Sequence, residues 1–147
     1  MDTLDQKALA KLAHDGRATW ADLGQHLGLS APSAADRVRK LEERGVIRGY
    51  AALADPNAIG FGLLAFIFVT LDSQQKRQRF LDAILKMPGV LECHHVAGDD
   101  DYLLKVRCAT TLELDDLLSR QLKQKLGVAR TRTVIALATA KENVNPL

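Results

Sequence analysis

The side chains best suited to covalent or metal chemistry lie between positions 93 and 101. Cys93, His94 and His95 are consecutive, and three aspartates follow at positions 99–101. Cysteine, histidine and carboxylate groups are common metal ligands, and a thiolate beside a histidine can act as a nucleophile. These residue types therefore permit a metal site or a small-molecule site.

The spacing of these residues argues against their convergence on one ion. Successive side chains of a β-strand point to opposite faces, so Cys93 and His95 would share one face and His94 would occupy the other. A Mg²⁺ site at positions 99–101 would need further oxygen ligands that the sequence does not indicate. The alternative of a small-molecule-binding metabolic module or metal-dependent enzyme, using Cys93, His95 and the acidic hairpin 99–101, stays open. No phosphate-binding glycine loop is present, and we predict no catalytic residue, metal or cofactor.

A second set of polar side chains is suited to nucleic acid. It lies on a predicted helix that begins after Ser30. Arginine can pair with guanine, and a carboxylate can accept a hydrogen bond from the cytosine amino group, so residues near the helix start should reach base edges. Longer cationic side chains suit phosphates. The predicted DNA-binding residues are Ser30, Ser33, Asp36, Arg37, Arg39, Lys40 and Arg44.

Two short helices joined by a tight turn would position these side chains. Thr19 and Asp22 have the spacing of a capping box, so the first helix should begin near Trp20. Gly28 is suited to end it, and Ser30 is suited to cap the second helix. The inward stripe should comprise Trp20, Leu23 and Leu27 in the first helix, and Ala31, Ala34, Val38 and Leu41 in the second. This pattern is typical of a helix-turn-helix, whose second helix enters the major groove.

A simpler interpretation of the polar helix face is that it is only a solvated surface. Charged residues on one face of a lone amphipathic helix usually have no further role. Here a capped helix and a short turn precede the charged helix, and this combination favours DNA binding.

The composition is that of a globular chain with little net charge. Its 147 residues suffice for one domain or two small ones, and 47% of them are hydrophobic. The net charge is only +2, so one module would neutralise few phosphates and should bind DNA weakly. We therefore expect a homo-oligomer, at least a dimer, that presents paired modules to roughly palindromic double-stranded DNA sites.

The apolar runs, the first residues and the cysteine count indicate the cellular compartment of the protein. No apolar run is long enough to cross a bilayer, and the first residues include acids rather than a basic segment before an apolar stretch. Two cysteines, Cys93 and Cys108, do not make a framework of several disulfides. We predict a cytoplasmic protein with no membrane partner.

From Leu63 onward the pattern is strand, helix, strand, strand, helix, strand. The segment Leu63–Leu71 is apolar on both alternating faces, as in a strand that is covered on both sides. A helix is predicted over about 74–87 with Phe80, Leu81, Ile84 and Leu85 inward, followed by strands over 90–97 and 102–108, a helix after Thr110, and a strand over about 129–138. This order favours a ferredoxin-like fold with both helices on one sheet face, and a second copy should cover the other face.

Short motifs run through both halves of the chain. They are Asp15-Gly16-Arg17, Leu29-Ser30, Arg37-Val38, Leu41-Glu42, Gly45-Val46-Ile47, Gly49-Tyr50, Asp55-Pro56, Gly89-Val90, Glu92-Cys93 and residues 98–106. With these motifs the sequence closely resembles the Lrp/AsnC family of bacterial and archaeal transcription regulators over nearly its whole length. A helix-turn-helix alone is shared by many regulators, whereas its pairing with a ferredoxin-like domain is specific.

The resemblance implies a sequence-specific DNA-binding transcription regulator with an amino-acid effector. It implies dimers that assemble further, often into an octamer of four dimers, with the effector at contacts between dimers. By position it assigns the effector to Gly98, Asp99, Asp100, Asp101, Tyr102 and Leu103. The residue types are compatible, because aspartates can accept from an ammonium group and open backbone amides near Gly98 can donate to a carboxylate. An ordinary acidic turn would show the same residues.

The expected architecture is an α+β fold in three parts. A winged-type helix-turn-helix domain should occupy residues 1–50. A linker strand and loop should occupy residues 51–62, the strand beginning in the strand-forming segment Val46–Leu53, where it could pair with the same segment of a second copy in a dimer. A ferredoxin-like βαββαβ domain for oligomerisation and effector binding should occupy residues 63–147.

Overall fold

The computed structural model describes residues 1–147 as two compact units. The first unit comprises Met1–Leu53 together with Lys141–Leu147, and the second comprises Ala54–Ala140. None of the helices combines the length and the apolar character that crossing a lipid bilayer requires.

Three helices form the first unit. They are α1 (Thr3–His14), α2 (Trp20–Leu27) and α3 (Ala31–Glu43). The capping box of Thr19 and Asp22 is complete, and the Ser30 hydroxyl accepts from the Ser33 amide at the start of α3. Gly28 ends α2 with φ at 68°. These three local signals were predicted, and the helix-turn-helix is confirmed.

The core of the first unit is small. It consists of Ala8, Leu23, Leu27, Ala34 and Val38, with Leu4, Leu12, Leu29 and Ile47 packed against it. The predicted inward position of Trp20 is wrong, because this side chain is 47% exposed. A helical side chain covers the turn that precedes its own Cα, so the first residue of α2 projects beyond the helix end rather than into the core.

The predicted linker strand at Val46–Leu53 does not form within the chain. Leu53 is 82% exposed, and the only sheet has four strands that all come from the second unit. Within one chain this extended segment has no neighbour with which to form ladder hydrogen bonds, and its pairing with the same segment of a second copy stays a prediction. The first unit consequently has no wing strands.

The second unit has the predicted βαββαβ order. Its elements are β1 (Leu63–Thr70), α4 (Arg77–Ile84), β2 (Val90–His95), β3 (Tyr102–Cys108), α5 (Thr111–Asp115) and β4 (Arg130–Ile135). A 3-10 turn at Gln74–Lys76 precedes α4, and α5 continues as a wider π-type helix over Asp116–Lys125. The sheet order is β2-β3-β1-β4, and all neighbours are antiparallel. The ferredoxin-like fold is confirmed.

Both helices of the second unit pack on one face of the sheet. That core includes Ile67 and Val69 of β1, Leu104 of β3, Phe80 of α4, and Leu122 of the π-type helix. Leu85 was predicted to point inward and is instead 83% exposed, because α4 ends at Ile84 and Leu85 lies in the turn that follows.

The opposite sheet face carries a row of large side chains. Phe66 lies beside Val134, and Phe68 lies beside Leu103 and Arg132. Three of these side chains are partly buried, namely Phe66, Phe68 and Leu103, and Val134 is 48% exposed. The Arg132 guanidinium lies 3.9 Å from the centre of the Phe68 ring. We call Phe66, Phe68, Leu103 and Val134 the open sheet face.

Candidate DNA interface and effector site

The predicted DNA-binding residues follow α3 from its cap to just beyond its end. Five of them, Ser33, Asp36, Arg37, Lys40 and Arg44, line one groove of about 360 Å³, together with Asp2, Asp5 and Leu29. Ser30 and Arg39 lie outside the lining of this groove. The buried residues Ala34, Val38 and Leu41 occupy the other side of the helix, so the groove runs along the face that α3 presents to solvent.

Ser30 and Ser33 form a hydroxyl pair at the start of α3. The Ser30 hydroxyl accepts from the Ser33 amide at 3.3 Å and donates to the Ser33 hydroxyl at 2.8 Å. A hydroxyl that accepts one hydrogen bond still has its own proton to donate. Ser33 is exposed, so this proton can reach a base or phosphate acceptor.

Asp36 organises two cations on the outer side of α3. Lys40 Nζ lies 2.7 Å from Asp36 Oδ2, and the Arg39 guanidinium is hydrogen-bonded to the same carboxylate. The hydrogen bond from Lys40, followed by the charges of Lys40 and Arg39, lowers the pKa of Asp36. Asp36 therefore stays ionised at neutral pH and keeps both cationic groups close to the helix.

Arg37 is held by the start of α1. Its Nη1 donates to both carboxylate oxygens of Asp2, at 2.8 and 2.7 Å, and to Asp5 Oδ1 at 2.5 Å. Backbone hydrogen bonds at the helix cap, and next the Arg37 guanidinium, lower the pKa values of Asp2 and Asp5. Sequence reasoning missed both aspartates, because their three-residue spacing indicates only a capping box and not a contact with a residue 32 positions away.

The predicted effector residues lie in the hairpin between β2 and β3, and only two of them line a cavity. This cavity has a volume of about 160 Å³ and is lined by Leu71, Asp72, Ser73, Gln74, Arg77, His95, Asp101 and Tyr102. The lining of this cavity does not include Gly98, Asp99, Asp100 or Leu103. Gly98 and Asp99 are exposed at the hairpin tip, and Leu103 belongs to the open sheet face.

Asp100 and Asp101 attach the hairpin to the end of β1. Asp101 Oδ2 accepts from the Leu71 amide at 2.7 Å, and the Asp101 amide donates to the Val69 carbonyl at 2.9 Å. Asp100 Oδ1 accepts from the Thr70 hydroxyl at 3.0 Å, and Arg132 Nη2 lies 3.3 Å from Asp100 Oδ2. These two carboxylates already have partners within the chain, so they fix the hairpin in place.

Tyr102 carries a buried hydroxyl group that lacks a hydrogen-bond partner. The residue is 3% exposed. The ring packs against Phe80 and His95 with centroid distances of 5.1 and 5.2 Å, and Arg77 Cζ lies 5.8 Å from its centre. A buried hydroxyl without a partner costs roughly 1–3 kcal/mol, and because its oxygen is closed off from solvent, a ligand in the adjoining cavity would reach it only after a neighbouring side chain moves.

The cysteine and histidine residues are not assembled for metal binding. Cys93 pairs with Leu104 on the helix side of the sheet, and burial raises the pKa of its thiol, which reduces its nucleophilic character. His94 faces the other side and contacts Glu92 at 3.0 Å. No group of three or more His, Cys, Asp or Glu side chains within residues 1–147 is arranged to hold a metal ion.

Comparisons with known protein families match both units. Residues 1–42 match the AsnC-type helix-turn-helix domain, and residues 64–146 match the Lrp/AsnC ligand binding domain. The leucine-responsive regulatory protein of Escherichia coli (strain K12) is 36% identical over 145 residues, which cover 97% of this chain and 88% of that protein. The leucine-responsive regulatory protein of Klebsiella pneumoniae shows the same identity and coverage.

Solved structures agree with the sequence comparisons. A transcriptional regulator from Neisseria meningitidis in complex with L-Met superimposes with a TM-score of 0.93 at 30% identity, covering 98% of this chain and 94% of that one. The feast or famine regulatory protein of M. tuberculosis complexed with L-methionine superimposes with a TM-score of 0.91 at 36% identity, covering 98% of this chain and 97% of that one.

Proposed function

The chain belongs to the Lrp/AsnC family of DNA-binding transcription regulators, which are not enzymes, and we propose that it reads double-stranded DNA through the solvent face of α3. The observation that carries this proposal is the groove along α3, which gathers Ser33, Asp36, Arg37, Lys40 and Arg44 opposite the buried side of the same helix. Such a face has the donors, acceptors and positive charge that a DNA groove requires.

The predicted DNA-binding residues of α3 fall into two groups, according to the part of the DNA that each can contact. Ser30, Ser33, Asp36 and Arg37 lie in the first two turns, the part of a recognition helix that contacts base edges. Arg39, Lys40 and Arg44 lie further along, and their exposed cationic groups suit phosphates on either side of the groove. Asp36 limits this positive charge, because it neutralises part of Lys40 and Arg39.

A homodimer would supply the affinity that one module lacks. The chain carries a net charge of only +2, and the open sheet face has large apolar groups at Phe66, Phe68, Leu103 and Val134. Burying that face against a second copy would pair two helix-turn-helix modules for a roughly palindromic site in the cytoplasm. The family resemblance supports further assembly into an octamer of four dimers.

The second unit is a ligand-binding domain of the amino-acid-sensing type, and we propose that the effector enters the cavity beside the hairpin. Arg77 lines this cavity and could pair with a carboxylate, and the Tyr102 hydroxyl could donate to the same group once a neighbouring side chain moves aside. Two structural relatives hold methionine, so methionine is the first amino acid to test. Gly98 and Asp99 are exposed at the hairpin tip and stay as predicted contributors from a neighbouring dimer, whereas Leu103 belongs to the open sheet face that would be buried within the dimer.

The DNA-binding proposal can be tested without knowing the target genes. A library of random-sequence duplexes is incubated with the full chain, bound duplexes are recovered over several rounds, and the recovered sequences are compared. We expect enrichment of a motif with approximate two-fold symmetry. Retention of duplexes without any enriched motif would contradict sequence-specific reading.

A further inference from the structure

A cluster of charges joins the start of α1 to the middle of α3. Arg37 Nη1 faces three carboxylate oxygens, two from Asp2 and one from Asp5, all within 2.8 Å. This nitrogen carries two hydrogens, so the acceptors exceed the donors. With two carboxylates and one guanidinium, the cluster carries a charge of about −1 at neutral pH.

The two carboxylates differ in how firmly they are held. Both carboxylates cap α1, because Asp5 Oδ2 accepts from the Asp2 amide at 3.0 Å and Asp2 Oδ1 accepts from the Asp5 amide at 2.8 Å. They differ in exposure, since the Asp5 side chain is 9% exposed and the Asp2 side chain is 57% exposed. An exposed ion pair is worth little because water competes for both partners, so the Asp2–Arg37 pair can exchange while the Asp5–Arg37 pair remains in place.

The cluster lies on the face that α3 would present to DNA. Asp2, Asp5 and Arg37 line the same groove as Ser33 and Lys40. A phosphate oxygen or a guanine acceptor would approach Arg37 from this groove, where the Asp2 carboxylate already supplies equivalent acceptors. DNA and Asp2 would therefore compete for the same guanidinium.

We propose that the α1 carboxylates set the selectivity of Arg37 for DNA. Asp5 is a positioning residue that fixes the guanidinium on the α3 face, and Asp2 is a built-in competitor that a DNA acceptor displaces. This inference rests on the DNA binding proposed above. Loosely bound, non-specific DNA gains little from Arg37 and is repelled by the excess carboxylate, whereas a matched site offers an acceptor good enough to replace Asp2.

Asp2→Asn isolates the competitor. Asparagine keeps the α1 cap, because Asn is as favourable as Asp at that position, while the carboxylate charge is removed. The matched control is Asp15→Asn, which removes one exposed carboxylate from the other end of α1, at a residue that pairs with Lys11 rather than Arg37. Asp5→Asn tests the positioning residue, and urea unfolding of each variant reports its folding.

Binding is measured by fluorescence anisotropy on two labelled duplexes at several salt concentrations. One duplex is the strongest binder that the wild-type chain selects from a random library, and the other is its scrambled sequence. We expect Asp2→Asn to bind the scrambled duplex at least about threefold more tightly than Asp15→Asn does, with a salt slope steeper by about one. Asp5→Asn should weaken binding to the selected duplex and lower the ratio of selected to scrambled affinity.

Two outcomes separate this inference from its premise. If the wild-type chain selects a duplex but Asp2→Asn and Asp15→Asn bind the scrambled duplex equally, the competitor role of Asp2 is overturned and the DNA-binding function stands. If the wild-type chain selects no duplex, the function fails and this inference fails with it. If the folded Asp5→Asn variant keeps the wild-type ratio of selected to scrambled affinity, the positioning role of Asp5 is overturned.

Discussion

The Tyr102 hydroxyl is buried in the free protein without a hydrogen-bond partner. Tyr102→Phe should therefore stabilise the protein without ligand by roughly 1 kcal/mol, since it removes an unsatisfied polar atom and leaves the ring contacts intact. The same change should weaken methionine binding, because the cavity loses a donor. Urea unfolding measures the first effect, and isothermal titration calorimetry measures the second.

Tyr50→Phe is the matched control for that change. The Tyr50 hydroxyl donates to Glu42 at 2.8 Å, and burial together with this carboxylate raises the pKa of Tyr50 to about 12. Removing a hydroxyl that has a partner should not stabilise the chain, and methionine binding should stay unchanged. A Tyr102→Phe variant that is no more stable than the wild-type chain would indicate that the Tyr102 hydroxyl has a hydrogen-bond partner.

At the scale of single residues, the sequence predicted the roles that depend on near neighbours in the chain. It missed the pairs that are distant in sequence. Thr19, Gly28 and Ser30 act within a few residues of themselves, so their types and spacing were sufficient. The contact of Arg37 with Asp2 spans 35 positions and depends on how α1 crosses α3, which no spacing rule contains. The role of Asp100 as a partner of Thr70 and Arg132 was hidden for the same reason.

At the scale of elements, the joint between α2 and α3 depends on Gly24. A Cβ at this position would lie 2.7 Å from the Leu29 carbonyl oxygen and 3.2 Å from the Ala31 amide nitrogen. Gly24→Ala should lower the thermal unfolding midpoint, although alanine favours helix by about 1 kcal/mol over glycine, because the turn must shift away from α2.

Gly16→Ala is the control for the joint. A Cβ at Gly16 would meet nothing closer than the Leu12 carbonyl oxygen at 3.8 Å, so this variant should melt close to the wild-type temperature. A Gly24→Ala variant that melts as high as Gly16→Ala would contradict the tight joint.

Acid should loosen the first unit through its helix caps. The Thr19 hydroxyl and amide lower the pKa of Asp22, and the cap amide with Arg37 lowers the pKa values of Asp2 and Asp5. A carboxylate whose pKa is lower in the folded state stabilises that state at pH values above its unfolded pKa of about 4. This stabilisation is lost as the pH falls through the pKa values of the folded state. Urea midpoints measured between pH 6 and pH 3 should therefore fall, and less steeply in Asp22→Asn. A midpoint that is constant over this range would contradict the ionised caps.

Most of the elements were predictable, and so were those ends that carry a cap. Hydrophobic period and caps located α2 to α5 and the four strands of the sheet, because each of these elements follows a local pattern. The pattern failed where a neighbour decides the outcome: Val46–Leu53 has no strand beside it, and α4 stops at Ile84, which leaves Leu85 exposed. The π-type geometry over Asp116–Lys125 has no sequence signature that we can identify.

At the scale of the whole molecule, the open sheet face should join two chains. Phe66→Glu places a charge in the middle of this face and should dissociate the oligomer, since a buried unpaired carboxylate is unfavourable. Leu85→Glu makes the same type of change at an exposed leucine on the helix side of the unit and should leave the oligomer intact. Multi-angle light scattering measures the mass of both variants, and equal masses would contradict this interface.

We propose that one helix-turn-helix binds DNA too weakly alone and that paired chains provide the affinity. Sedimentation velocity of the wild-type chain on its selected duplex, at physiological salt, gives the number of chains per DNA directly. We predict an even number, two or more, and no stable complex with a single chain. A stable complex with one chain per duplex would contradict the need for paired chains.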